Sequence, residues 1–104
     1  MAATARIWED DRTDHRDDVH FRARAIGPDG RAAQLLIVNI SARGLMARCE
    51  TALAVGDTLR VHLPVIGQIA AEIRWSLGGR VGLQLDRIIP LSEYYAVLAV
   101  MAKS

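Results

Sequence analysis

Aromatic side chains are scarce in this chain: one Phe, two Trp and two Tyr among 104 residues. A core must therefore be built mainly from Val, Ile, Leu and Ala. A small barrel that binds single-stranded nucleic acid needs aromatic stacking platforms and a basic groove. Five aromatics and a formal net charge of +1 argue against that reading. The same charge gives no general drive toward a nucleic-acid polymer or an anionic membrane. Lysine is almost missing, with Lys103 alone among 13 basic residues. Cys49 is the single cysteine, which excludes an intrachain disulfide and implies no oxidising compartment. No apolar stretch approaches the length of a membrane span, and the start lacks the apolar run of a secretory signal. A cytoplasmic protein without membrane insertion is expected. His15, His20 and His62 form no metal-ligand spacing with Cys49. No Ser-His-Asp arrangement, phosphate loop or dinucleotide fingerprint is legible. Catalysis, a metal and a cofactor are therefore not expected.

What is present suits one domain. Hydrophobic residues make up 51% of the chain, enough for a single modest core. Charge is unevenly placed. Residues 1–18 carry three arginines against six acids, a local balance of −3, which leaves +4 for the remainder. That stretch has no sustained period and reads as a mobile N-terminal arm, with Trp8 as the exception, since an exposed indole in an arm usually docks on something.

From Val19 onward the pattern alternates. Val19, Phe21, Ala23 and Ala25 share one face, and His20, Arg22 and Arg24 the other. Gly27-Pro28-Asp29-Gly30 marks a turn. Ala32 to Ile40 forms a second strand, apolar enough to be central, and Leu45 to Cys49 a third. Leu59, Val61 and Leu63 alternate with polar neighbours. So do Ile69, Ala71, Ile73 and Trp75, all four expected in the core. Leu77-Gly78-Gly79 predicts a hairpin into Arg80–Leu85. Arg74 and Gln84 fall on the outer face; they could line a ligand face, and read first as solvated barrel surface. Six short strands predict a closed or nearly closed antiparallel barrel, which removes exposed edges. After Pro90 the period becomes helical. Tyr94, Val97, Leu98 and Met101 lie on one face, with Ser92 as the expected cap. The chain thus divides into an arm over 1–18 and a barrel with a C-terminal helix over 19–104.

Two short motifs carry the chemistry. Arg12-Thr13-Asp14-His15-Arg16 puts two guanidinium groups four residues apart, a spacing suited to bidentate phosphate contacts. Asn39-Ile40-Ser41-Ala42-Arg43-Gly44 follows one hairpin later and offers an amide, a hydroxyl and a glycine. Each motif also has a plain reading. Arg12 and Arg16 could be solvated arm residues paired with nearby acids. Asn, Ser and Gly suit a turn for backbone reasons alone. Together they describe a split site for a small, anionic, planar ligand such as a nucleotide.

The order RxxxR, then NxSxxG, then the closing hairpin Ile69–Leu85 resembles the PilZ domain, a bacterial receptor for cyclic di-GMP, over roughly residues 10–90. The resemblance implies an all-β fold: a six-stranded antiparallel PilZ-like barrel with a flexible arm and a C-terminal helix. It gives Arg12 and Arg16 the role of wrapping over the ligand's phosphates and guanines. It gives Asn39 and Ser41 bonds to the second guanine and its surroundings. Gly44 permits the turn and a close approach, and Arg43 lies within reach of phosphate. The implied function is reception of cyclic di-GMP with signalling to an unidentified protein partner through ordering of the arm. The alternative is a degenerate PilZ-like module that binds no nucleotide and only docks on a partner. Asp10 and Asp11 stand where the family often has a further basic residue, and Asn39 stands where Asp is common.

Overall fold

Alternation along most of the chain becomes six strands because one residue in two can be buried on a closed sheet. The computed structural model describes residues 15–102. Its strands are β1 (Asp17–Ile26), β2 (Ala32–Ile40), β3 (Gly44–Arg48), β4 (Thr58–Leu63), β5 (Gly67–Leu77) and β6 (Arg80–Leu85), followed by helix α1 (Leu91–Ala102). They close into an antiparallel barrel in the order β1-β2-β3-β6-β5-β4. The expected architecture is the observed one. β2 is a central strand, paired on both sides.

The interior is aliphatic, as the shortage of aromatics requires. Leu35, Ile37, Leu45, Leu59, Val61 and Ile73 are each at most 1% exposed. Cys49 is buried among them as a small hydrophobe. The seam where β4 meets β1 is the thinnest part of the wall, with only Ala25↔Val61 and Ile26↔Arg60 in register. Helix α1 leans on β1 and buries Tyr94, Val97 and Met101. Among the described residues no helix is long and apolar enough to cross a membrane.

Two ladder irregularities and the start of the helix position the site. β1 begins at Asp17, two residues before the alternating run, and its pairing with β2 shifts between Asp18 and Phe21. The β5–β6 ladder shifts between Ile73, which faces Leu83, and Trp75, which faces Gly82. That irregularity overturns the expected burial of Trp75. One extra residue, Arg74, reverses the alternation, and the indole is 41% exposed on the outer face. The helix also starts earlier than Ser92. The Tyr94 amide donates to the Pro90 carbonyl at 2.8 Å, so Pro90 opens the helix and Ser92 lies inside its first turn. Proline suits that place because the first helical amides have no partner in any case.

Candidate functional site

The turn between β2 and β3 is built on one hydroxyl. Ser41 is 1% exposed. Its Oγ accepts the backbone amides of Gly44 at 3.1 Å and Arg43 at 3.3 Å, and donates to the Gly44 carbonyl at 3.3 Å. The Ser41 amide donates to the same carbonyl at 2.8 Å. Neighbouring segments clamp the loop. The Leu85 amide bonds the Arg43 carbonyl at 2.8 Å, and the Ile89 amide bonds the Ala42 carbonyl at 2.9 Å. In this structure the Ser41 hydroxyl therefore shapes the turn from inside.

Gly44 is required for space. It is not among the residues with positive φ. A Cβ there would stand 2.5 Å from the Leu83 carbonyl oxygen of β6. The freedom expected from glycine is thus used for close approach of β3 to β6, where Gly44 faces Gln84. Gly82 meets the same need one step along, since a Cβ on it would overlap the Trp75 indole. The absent side chain lets the indole pack directly on Gly82 of β6.

Arg16 stands just outside the first rung of β1, exposed, and donates from Nη1 to Asn39 Oδ1 at 2.7 Å. A guanidinium only donates, so this contact fixes the Asn39 amide with its oxygen toward Arg16. Its Nδ2 then points to the Met46 sulfur at 3.9 Å. The Asn39 oxygen keeps a second lone pair for another N–H. The two motifs, 23 residues apart, are brought into contact. Arg12 lies outside the described residues.

Between these elements runs an open groove of about 460 Å³. Arg16, Ser41, Arg43 and Gly44 line it together with Arg74 and Trp75 of β5 and Gly82, Leu83 and Gln84 of β6. Three of these side chains are cationic and none is acidic. Arg74 Nη1 donates to Gln84 Oε1 at 2.7 Å, which holds that guanidinium along the groove wall. Arg74 and Gln84 stand on the outer face that alternation gives them and join the groove, whereas Trp75 was expected in the core. The β5 irregularity put the indole in place, and a period-2 reading has no signal for it. The nearest cue was Gly82, a glycine inside a strand, which often marks a bulge or a close approach.

Next to Arg16 and Ser41 in the chain, Asp17 and Ile40 meet the Tyr94 hydroxyl of α1, which reaches Asp17 Oδ2 at 2.7 Å and the Ile40 carbonyl at 2.8 Å. Burial first, and the Asp17 bond second, push the Tyr94 hydroxyl's pKa upward, so it stays protonated. On its other oxygen Asp17 faces His15 Nε2 at 3.6 Å. Among the described residues no group of His, Cys, Asp or Glu is placed to hold a metal ion.

The site combines cationic forks, one exposed indole and a rigid turn. Cations and a ring face suit an anionic planar ligand. A comparison with solved structures finds the PilZ domain of CeSA from a cellulose-synthesizing bacterium at a TM-score of 0.59 and 16% identity, over 84% of this chain and 94% of that one. At that identity the likeness concerns the fold. A search among curated proteins gives no match. The PilZ domain description matches residues 10–94, which span both motifs, the whole barrel and the start of α1, and the chain belongs to the PilZ domain family.

Proposed function

We propose that this domain is a non-enzymatic, cytoplasmic receptor for cyclic di-GMP that passes the signal to a protein partner. The observation that carries the reading is the groove itself, which Arg16, Arg74 and Trp75 line together with Arg43 of the Ser41–Gly44 turn. Cyclic di-GMP offers two phosphates and two purines. Arg16 and Arg43 serve the phosphates as bidentate donors. Trp75 supplies a face for a purine, and the Arg74 guanidinium a second planar cation. Asn39 accepts a guanine N–H on its remaining lone pair. Ser41 and Gly44 act by shaping the turn. Arg12 joins Arg16 by the family motif, and closure of the segment that precedes β1 over the ligand alters the surface that a partner meets.

Calorimetric titration with cyclic di-GMP, with GTP and cyclic di-AMP as controls, tests the reading. Micromolar or tighter binding of about −8 kcal/mol, selective for the guanine dinucleotide, is expected. No heat at high ligand concentration sinks it.

A second reading rests on a specific observation. The motif's polar atoms are already engaged: Asn39 Oδ1 with Arg16, and Ser41 Oγ with its own turn. A module that has given up nucleotide would keep the turn for its structural worth and act only by docking on a partner. The same titration separates the two readings.

A further inference from the structure

One hydroxyl ties the C-terminal helix to both halves of the motif. Asp17 and Ile40 face each other in the last rung of the β1–β2 ladder. Asp17 directly follows Arg16, and Ile40 lies between Asn39 and Ser41. Tyr94 Oη touches both members of that rung, at 2.7 Å and 2.8 Å. The Arg16–Asn39 bond crosses this rung diagonally, from the residue before Asp17 to the register partner of Asp18.

This rung needs outside support. The ladder shifts between Asp18 and Phe21, so the strand's first two residues are separated from the regular pairing by an irregularity. Arg16 itself is exposed, and an exposed polar contact contributes little to holding it in place. Tyr94, by contrast, is 5% exposed and its ring is packed in the core. A hydroxyl on a fixed ring makes a firm anchor. It has one proton, and the carboxylate is the stronger acceptor. Should Asp17 move away, the Ile40 carbonyl is still within reach, so release strands no buried donor.

We propose that Tyr94 and Asp17 are positioning residues of the nucleotide site, holding the start of β1 so that Arg16 faces Asn39 and the groove. The proposal rests on the cyclic di-GMP reading given above. Because Tyr94 belongs to α1, occupancy of the groove and seating of the helix are linked, and linkage acts equally in both directions.

Tyr94→Phe tests this, because it keeps the buried ring and removes only the hydroxyl. In the free protein, amide exchange at Arg16, Asp17 and Asp18 should quicken about three- to tenfold, the equivalent of one net hydrogen bond, while β5 and β6 stay within about twofold. Cyclic di-GMP affinity should fall by a similar three- to tenfold factor, about one hydrogen bond's worth. In an Arg16→Ala background the same substitution should change affinity by less than about twofold, since its effect passes through Arg16. Asp17→Asn keeps an acceptor and should bind within about threefold of the parent, whereas Asp17→Ala should match Tyr94→Phe. Equal losses with and without Arg16 would show a merely structural role and overturn the proposal. Unchanged exchange at residues 16–18 would overturn it as well. If the parent protein takes up no cyclic di-GMP, the nucleotide reading fails by itself, and the exchange result still decides whether Tyr94 holds the strand entry.

Discussion

The two halves of the site are built to different standards. The Ser41–Gly44 turn has buried ends and is bonded from within, and two flanking segments clamp it. The entry of β1 carries an exposed arginine that bonds Asn39, with one buried tyrosine behind it. The first half is part of the folding problem. The second can be rearranged at small cost to the barrel. A receptor that holds a fixed surface and adds a movable cation to it gains specificity from the former and a conformational response from the latter. The contrast makes separable predictions: damage to the turn should appear in stability, and damage to the entry in binding.

The largest effect is expected from Gly44→Val. A side chain there meets the β6 backbone at Leu83, and backbone has little room to yield. Destabilisation of about 2–3 kcal/mol follows from overpacking, or roughly a 10–20 °C fall in melting temperature for a domain of this size. Thermal denaturation measures it. A melting temperature equal to the parent's would mean that β3 and β6 can separate there freely.

Arg16→Ala should behave in the opposite way. Stability should stay within about 0.5 kcal/mol, because the side chain is exposed. Affinity for cyclic di-GMP should drop roughly ten- to a hundredfold with loss of a charged bidentate contact. Paired melts and titrations check both numbers. A large stability loss would make the entry strand structural and erase the contrast.

Ser41→Ala sharpens the division inside the turn. It leaves the amides of Arg43 and Gly44 without their hydroxyl acceptor, which should lower stability by about 1–2 kcal/mol. Ligand binding to the folded fraction should weaken less than in Arg16→Ala. If binding is lost while the melt is unchanged, Ser41 contacts the ligand directly.

The smallest effect concerns pH. Folding raises the Tyr94 hydroxyl above a tyrosine's ordinary pKa of about 10, so the fold favours the protonated form. That contribution is complete below about pH 10 and is lost as pH climbs toward the folded value. Melting temperatures in the parent should decline more steeply above pH 10 than those of Tyr94→Phe. Parallel declines would assign the alkaline loss to other groups.

Much of the fold was legible because burial on a closed sheet imposes a period of two. The runs at Ala32–Ile40, Leu59–Leu63 and Val81–Leu85 announce their strands and inner faces in the residue order alone. The helix is announced in the same way by Tyr94, Val97 and Met101. The motif pair, too, was visible as residue types and spacings. Trp75 was misplaced for the same physical reason that the other strands were read well. A single extra residue at Arg74 reverses every later side chain in β5, and no composition or period records it.

The sequence by itself determined that the core is aliphatic, that six strands precede one helix, and that a guanidinium, an amide and a hydroxyl stand at fixed chain positions. These follow from local chemistry and periodicity. Only the tertiary structure decided that Arg16 meets Asn39, that Gly44 is needed for the β6 carbonyl rather than for a left-handed turn, and that Trp75 and Arg74 join the groove. It also decided that a helix residue 77 positions away bonds Asp17. Such contacts depend on register, bulges and barrel closure. Those are set by packing the whole chain at once, and no short window of sequence contains them.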